Sequence, residues 1–307
     1  MANEFSPTNG VTKAALATSE FVPEIWQDEI VATYKKSLVM ANLVKRVSCV
    51  GKKGDIVHFP GFTRGSASSK GSLAQVTLQA HTGTAVAVNL DQHWEYSRLI
   101  EDIAVLQSNN SMRGVYTEDA GYALATVVDS ALFTKTQLWQ GGSASATWAK
   151  AKIGSDGSTD YTGSNEAAIT DAAIRKLIQT LDDADIPMDN RYLVLPPVAR
   201  NTLMGLARFT EQAFVGEGGS SNTIRNGRLG NVYGVEIYVT SACPTATGDA
   251  RIGAIFHKDA LILCEQQKPR VQTQYKQEYL ADLLTADTVF GCNEFRDAAG
   301  IAIAVAA

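Results

Sequence analysis

A mixed α+β fold with one extended β-hairpin and one long helix is what this 307-residue sequence predicts. Three observations carry that expectation. Period-2 alternation stands on both sides of a Gly/Ser-rich stretch, 61–72, which is the pattern of two strands joined at a tip. Apolar residues step at helical spacing from Ser111 to Gln140. Beyond residue 164, short helices and strands interleave without a regular βαβ repeat, which excludes a doubly wound parallel sheet.

Taken in order, residues 1–20 are small and polar and read as a flexible arm. Pro23 sits where a helix start tolerates it and opens a helical segment, 24–44, with Ile25, Trp26, Ile30, Val31, Leu38 and Val39 at helical spacing. From Cys49 the grammar is that of strands. GDIVHFPG alternates and stops at Pro60, and the return ends in TAVAVNL, with Val86, Val88 and Leu90 on one face. Two strands cannot bury a face between themselves, so this hairpin, spanning 49–92, needs a partner surface.

The Ser111–Gln140 helix has Ser111 as its expected N-cap and Gly141-Gly142 as its stop, giving a spine of about 45 Å. A loop rich in Gly, Ser, Asp and Thr follows to Ser164. Next come a helix from Glu166 to Asp183, a buried strand RYLVLP, a helix from Val198 to Phe209 and a loop from Gly216 to Asn226. The remainder reads as strands: VEIYVTS, GAIFH, ALILCEQ, PRVQTQYK and the C-terminal GIAIAV.

Composition narrows the function classes. A 45% hydrophobic and 19% charged chain is globular, and a net charge of −5 without a Lys/Arg-dense run does not suit a nucleic-acid reader. Four cysteines (Cys49, Cys243, Cys264, Cys292) lie far apart without a CxxC pair, which points to reduced thiols rather than a disulfide framework or zinc knuckle. The N-terminus carries Glu4 early and no apolar h-region, and the longest apolar run, 300–307, is too short to span a bilayer, so no membrane is expected.

The sequence contains no GxxxxGK[ST], GxGxxG, GxSxG or HExxH. His58, His81, His93 and His257 are scattered. The carboxylates at 182, 183, 185 and 189 lack the glycine and glutamate of a calcium loop and read as a solvated helix end. The expectation is therefore no enzyme, no metal and no cofactor.

The stretch 224–243, IRNGRLGNVYGVEIYVTSAC, places Gly227, Gly230 and Gly234 before an alternating strand. By spacing alone it is a glycine turn feeding a half-buried strand. With two other blocks it resembles the major capsid protein family of tailed bacteriophages, closest to short-tailed (podovirus) phages. The first block is Ile186-Pro187, then Arg191, YLVL, Pro197 and a helix reaching Leu203. The second is Asn231-Val232-Tyr233-Gly234-Val235-Glu236-Ile237. The third is 290–300, FGCNEFRDAAG, followed by IAIAV. The blocks keep their order across 186–307.

The resemblance implies the Hong Kong 97-type capsid fold. That fold has an N-terminal arm (1–48), an extended hairpin loop (49–92), a peripheral domain with the spine helix 111–140 (93–144 and 265–297) and an axial domain (145–264 and 298–307). It implies a virion protein that self-assembles into hexamers and pentamers of an icosahedral head around double-stranded DNA. Assembly in the host bacterial cytoplasm, a portal protein partner and only non-specific proximity to DNA go with it. About 22 residues precede Pro23, against the hundred or so of an N-terminal scaffolding domain, so a separate scaffolding protein is expected.

Position marks Trp26 in the arm, Arg64 and Lys70 at the hairpin tip and Arg113 on the spine helix as inter-subunit contacts. Lys70 has no identified asparagine partner, so covalent crosslinking is not carried over. An encapsulin-like compartment shell of the same fold is the alternative. A tail or decoration protein fits the long helix poorly, and an enzyme has no constellation of residues behind it.

Overall fold

The computed structural model describes residues 38–62, 65–73, 75–76, 78, 83–107, 112–141, 161, 167–206, 230–246 and 249–306. Residues 1–20, Trp26 and positions 24–37 of the expected 24–44 helix lie outside these, as do Arg64, most of 142–164 and the 216–226 loop; the rest of that helix, 38–44, is helical only over 40–43. The described chain begins at Leu38 and enters a one-turn helix, α1 (Met40–Leu43), followed by the short strand β1 (Lys45–Ser48).

The expected hairpin is present. Strand β2 (Ile56–Phe62) pairs antiparallel with β3 (Gly83–Asn89), from Ile56 opposite Asn89 to Phe62 opposite Gly83. Its root is the part that packs: Val88 is buried with Cys49, Ile262 and Cys264, and Val57, Phe59 and Leu90 lean on that cluster. Toward the tip, Gly83, Thr84 and Ala85 are exposed.

A four-stranded sheet follows, in the order β1-β9-β10-β4. Here β4 is Gln92–Glu101, β9 is Leu261–Lys276 and β10 is Ala281–Glu294. The last two form a long antiparallel ribbon. Sequence reading split β9 into two strands at Pro269, but the strand runs through. Proline lacks the ladder N–H, and the pairing accommodates this with register irregularities around Val289, while the Thr288 hydroxyl donates to the Gln267 carbonyl at 3.0 Å.

Helix α2 (Asp102–Gln107) leads to α3 (Met112–Lys135), which lies on β10, β4 and β9. The spine is therefore shorter than the expected 111–140, about 36 Å instead of 45 Å. After Lys135 the chain tightens into a 3₁₀ turn, Thr136–Gly141, where Trp139 is extended (ψ 141°) and Gln140 is left-handed (φ 53°). The cause is tertiary. Trp139 is 1% exposed, packs on Phe256 and sits against Gly300, where an added Cβ would lie 2.5 Å from the indole. The Gln140 N–H donates to the Asp297 carboxylate.

A five-stranded sheet, β11-β8-β5-β7-β6, forms the second layer. It is built from β5 (Arg191–Leu195), β6 (Asn231–Val232), β7 (Val235–Val239), β8 (Arg251–His257) and β11 (Gly300–Val305). All six residues of β11 are buried, which fits their apolar run. Helices α4 (Asp171–Asp183) and α5 (Pro197–Met204) share a core with this sheet through Ile174, Leu177, Leu181, Ala199 and Leu203.

Helix α4 starts five residues later than its apolar pattern suggests. Ile169 is buried ahead of it, and the Thr170 hydroxyl accepts from the Ala173 N–H at 3.2 Å as a true N-cap. Helix α5 ends at Met204 rather than Phe209, with the Gly205 N–H turned back to the Thr202 carbonyl at 3.1 Å.

Candidate assembly surfaces

The three sequence blocks are joints of the fold. In the first, Arg191 is 3% exposed at the start of β5. Its Nε donates to the Pro187 carbonyl at 2.9 Å and its Nη2 to the Ile186 carbonyl at 2.5 Å, while Nη1 pairs with Asp182 at 2.7 Å. One guanidinium thus satisfies the turn that leaves α4. Asp182, read as part of a solvated helix end, is half of this pair.

In the second block, Tyr233 (φ 53°) and Gly234 (φ 84°) make a two-residue turn between β6 and β7, both left-handed as a type I′ hairpin requires. The Tyr233 hydroxyl donates to Asp171 at 2.6 Å, tying the turn to the start of α4.

The third block holds the hairpin root. Asn293 Nδ2 donates to the Ala87 carbonyl at 2.9 Å, and Phe295 meets Phe59 edge-on at 5.8 Å with Lys45 Nζ 4.6 Å from the Phe295 ring centroid. The same block ends the long helix through Asp297 and Gly300. Residues within one eleven-residue block therefore set the direction in which the hairpin leaves the body and the point where the spine stops.

The hairpin and the end of the sheet beside the spine present exposed apolar surfaces. Leu73, Val76 and Leu78 are exposed in the hairpin return. A second apolar patch gathers at the end of the four-stranded sheet. There Leu99, Ile103, Leu106, Tyr279 and Leu280 are all exposed, and the Asp102 N–H donates to the Leu280 carbonyl at 3.1 Å. A cleft of about 590 Å³ lies between the hairpin root and the spine, lined by Asn89, Gln92, Trp94, Ser130, Lys135 and Asn293 among others.

Lys70 is exposed in the segment between the two hairpin strands. Arg113 is exposed on the first turn of α3, but its Nη2 donates to Thr273 Oγ1 of β9 at 3.1 Å, so it braces its own chain. The structure does not bring Lys70 and Arg113 together, and Trp26 and Arg64 lie outside the described residues. The exposed leucines, Ile103 and Tyr279 at the sheet end were missed. Their available signal was apolar residues standing in both turn-flanking segments, 99–106 and 279–280.

Among the described residues no group of three or more His, Cys, Asp or Glu stands together to hold a metal, and no described helix is long and apolar enough to cross a membrane. The thiols are buried; burial pushes Cys243 and Cys264 up to about 12 and Cys292 up to about 11, so each is held protonated.

A family model described as phage capsid protein matches residues 97–301, more than half of the chain. The chain belongs to the phage capsid protein family. Solved structures agree on the fold. A Mycobacterium phage Che8 structure matches with a TM-score of 0.72 at 22% identity, over 93% of this chain and 97% of that one. The capsid structure of cyanophage P-SCSP1u matches with 0.77 at 17% identity, over 99% of both. A chain of the cyanophage Pam1 capsid matches with 0.70 at 12% identity, over 100% and 99%. No curated protein matches the chain.

At such identities the likeness is one of fold, the Hong Kong 97 type, with mixed helix and sheet. Family membership makes this a major capsid protein of the head shell and places it in the virion; the encapsulin-like alternative is not favoured. The family and its structural neighbours are structural capsid proteins.

Proposed function

We propose that this capsid protein closes its icosahedral head as hexamers and pentamers, latched by the extended hairpin and the N-terminal arm of each copy. The observation that carries the reading is the hairpin. Its root is buried against Cys49, Ile262 and Cys264, while toward the tip the paired strands are exposed and Leu73, Val76 and Leu78 face solvent. A two-stranded ribbon is marginal alone in water, so a neighbouring copy is its natural support.

In this reading the arm is 1–48 and the hairpin loop 49–92. The peripheral domain is 93–144 with 265–297, and the axial domain is 145–264 with 298–307. Axial domains gather about the five- and six-fold positions, and many modest contacts become strong through multivalency. Trp26, Arg64 and Lys70 contact neighbours, while Arg113 acts on the neighbour only together with the Thr273 region it already braces.

Assembly takes place in the host bacterial cytoplasm with a separate scaffolding protein, and a portal protein occupies one vertex. The net charge of −5 suits a lining along which packaged DNA slides without specific adhesion. Nothing in the proposal requires catalysis.

The test is a variant in which residues 63–82 are replaced by a short glycine turn, compared with the full chain by sedimentation velocity, with and without coexpressed scaffolding protein. Shells from the full chain and a folded, unassembled variant are expected. Normal shells from the variant would overturn the latch, and correctly sized shells from the full chain alone would remove the separate scaffold.

A further inference from the structure

Asp129 lies on α3 with 1% of its surface exposed. Its Oδ1 accepts the N–H of Met40 at 2.8 Å, and the Val39 and Ala41 amides also bond to the carboxylate. Helix α1 has no cap of its own, since Val39 supplies no side-chain hydrogen bond. A carboxylate 89 residues away therefore caps the turn at which the N-terminal arm joins the body. Its other oxygen, Oδ2, is buried without a hydrogen-bond partner. Asp129 also lines a cavity of about 260 Å³ together with Leu38, Asn42, Arg46 and Glu265.

The charged and titratable groups that face Asp129 do not neutralise it. Arg46 on β1 is engaged with Glu265 on β9 at 3.1 Å. The Cys243 thiol, beyond β7, is held protonated, and Arg251 donates to the Cys243 carbonyl at 3.3 Å. The facing residues of α1 and β10, which include Asn42, Thr288 and Phe290, are uncharged.

We propose that Asp129 is a proton-operated clasp between the root of the N-terminal arm and the long helix, gripping the root when protonated and loosening it when ionised. An ionised carboxylate here keeps its amide bonds but strands Oδ2 away from water. A protonated one leaves a carbonyl-like oxygen for the Met40 amide and removes the buried charge. Burial accordingly raises the Asp129 carboxyl from 3.8 to about 6 while the root is seated. When the root lifts, water reaches the carboxyl and its ordinary value returns. Seating is then favoured below about 4 and the advantage is lost as pH rises through about 6. The inference rests on the arm assignment above, but its test reads the seating itself, whether or not shells form.

Hydrogen exchange at the Met40 and Ala41 amides of the full-length chain, kept below its assembly concentration, decides it. After correction for intrinsic exchange, protection of these amides should be roughly tenfold greater at about pH 5 than at about pH 7.5. The Ile255 amide in the five-stranded sheet serves as the internal reference. Asp129→Asn should abolish the pH dependence. Protection that is flat with pH in the unsubstituted chain would overturn the clasp, as would an unchanged dependence in Asp129→Asn; the first result stands even if the variant does not fold.

Discussion

At the scale of single residues, two side chains do work that their sequence context hides. Arg191 reads as one charge before an apolar strand, but its guanidinium bonds at once to Ile186, Pro187 and Asp182. Arg191→Ala leaves two carbonyls and a carboxylate without their shared donor and should destabilise the chain by about 2–4 kcal/mol in denaturant titration. Arg191→Lys should recover only part of this, because an ammonium lacks the fork.

Asp129 gives a pH-dependent counterpart. Its raised carboxyl contributes stability that is present below 3.8 and lost as pH rises to about 6. Asp129→Asn should therefore gain about 1–3 kcal/mol relative to the unsubstituted chain on going from pH 4 to pH 8. The cysteines give a third check: all four are buried, so a thiol reagent should titrate none in the native chain and four after denaturation.

At the scale of elements, periodicity located strands and helices well and their ends poorly. The hairpin strands β2 and β3, the buried β5 and β11 and the apolar face of α4 were legible because each is a strong period in a continuous run. The ends were not, because tertiary partners decide them. The spine stops at Lys135 since Trp139 is drawn into the core beside Gly300, a residue 161 positions later. Strand β9 continues through Pro269 since β10 absorbs the missing donor by shifting register.

Gly300→Ala places a methyl where the Trp139 ring lies. It should lower stability by about 1–3 kcal/mol and shift tryptophan fluorescence, measured by thermal melts and emission spectra. By contrast, replacing the hairpin tip should leave the melting temperature of the isolated chain nearly unchanged, since only the hairpin root packs on the core.

At the scale of the whole molecule, the three sequence blocks were recognisable as a family signature, and the structure gives the physical reason for each. One pins the exit of α4, one makes a type I′ turn, and one anchors the hairpin root while closing the spine. Each is accounted for by contacts within its own chain: a turn satisfied by Arg191, a hairpin turn tied to Asp171, and a root held by Asn293 and Phe295. The interface residues were less legible. A contact between copies leaves no internal period in a sequence, and Arg113 shows how a charge chosen by position can be occupied within its own chain.

The central claim is that this chain builds a shell from identical copies. Negative-stain microscopy of the expressed full-length protein tests it most directly. Icosahedral particles, or sheets of hexamers and pentamers, are the expected result; a chain that remains monomeric at high concentration, with and without scaffolding protein, would contradict it.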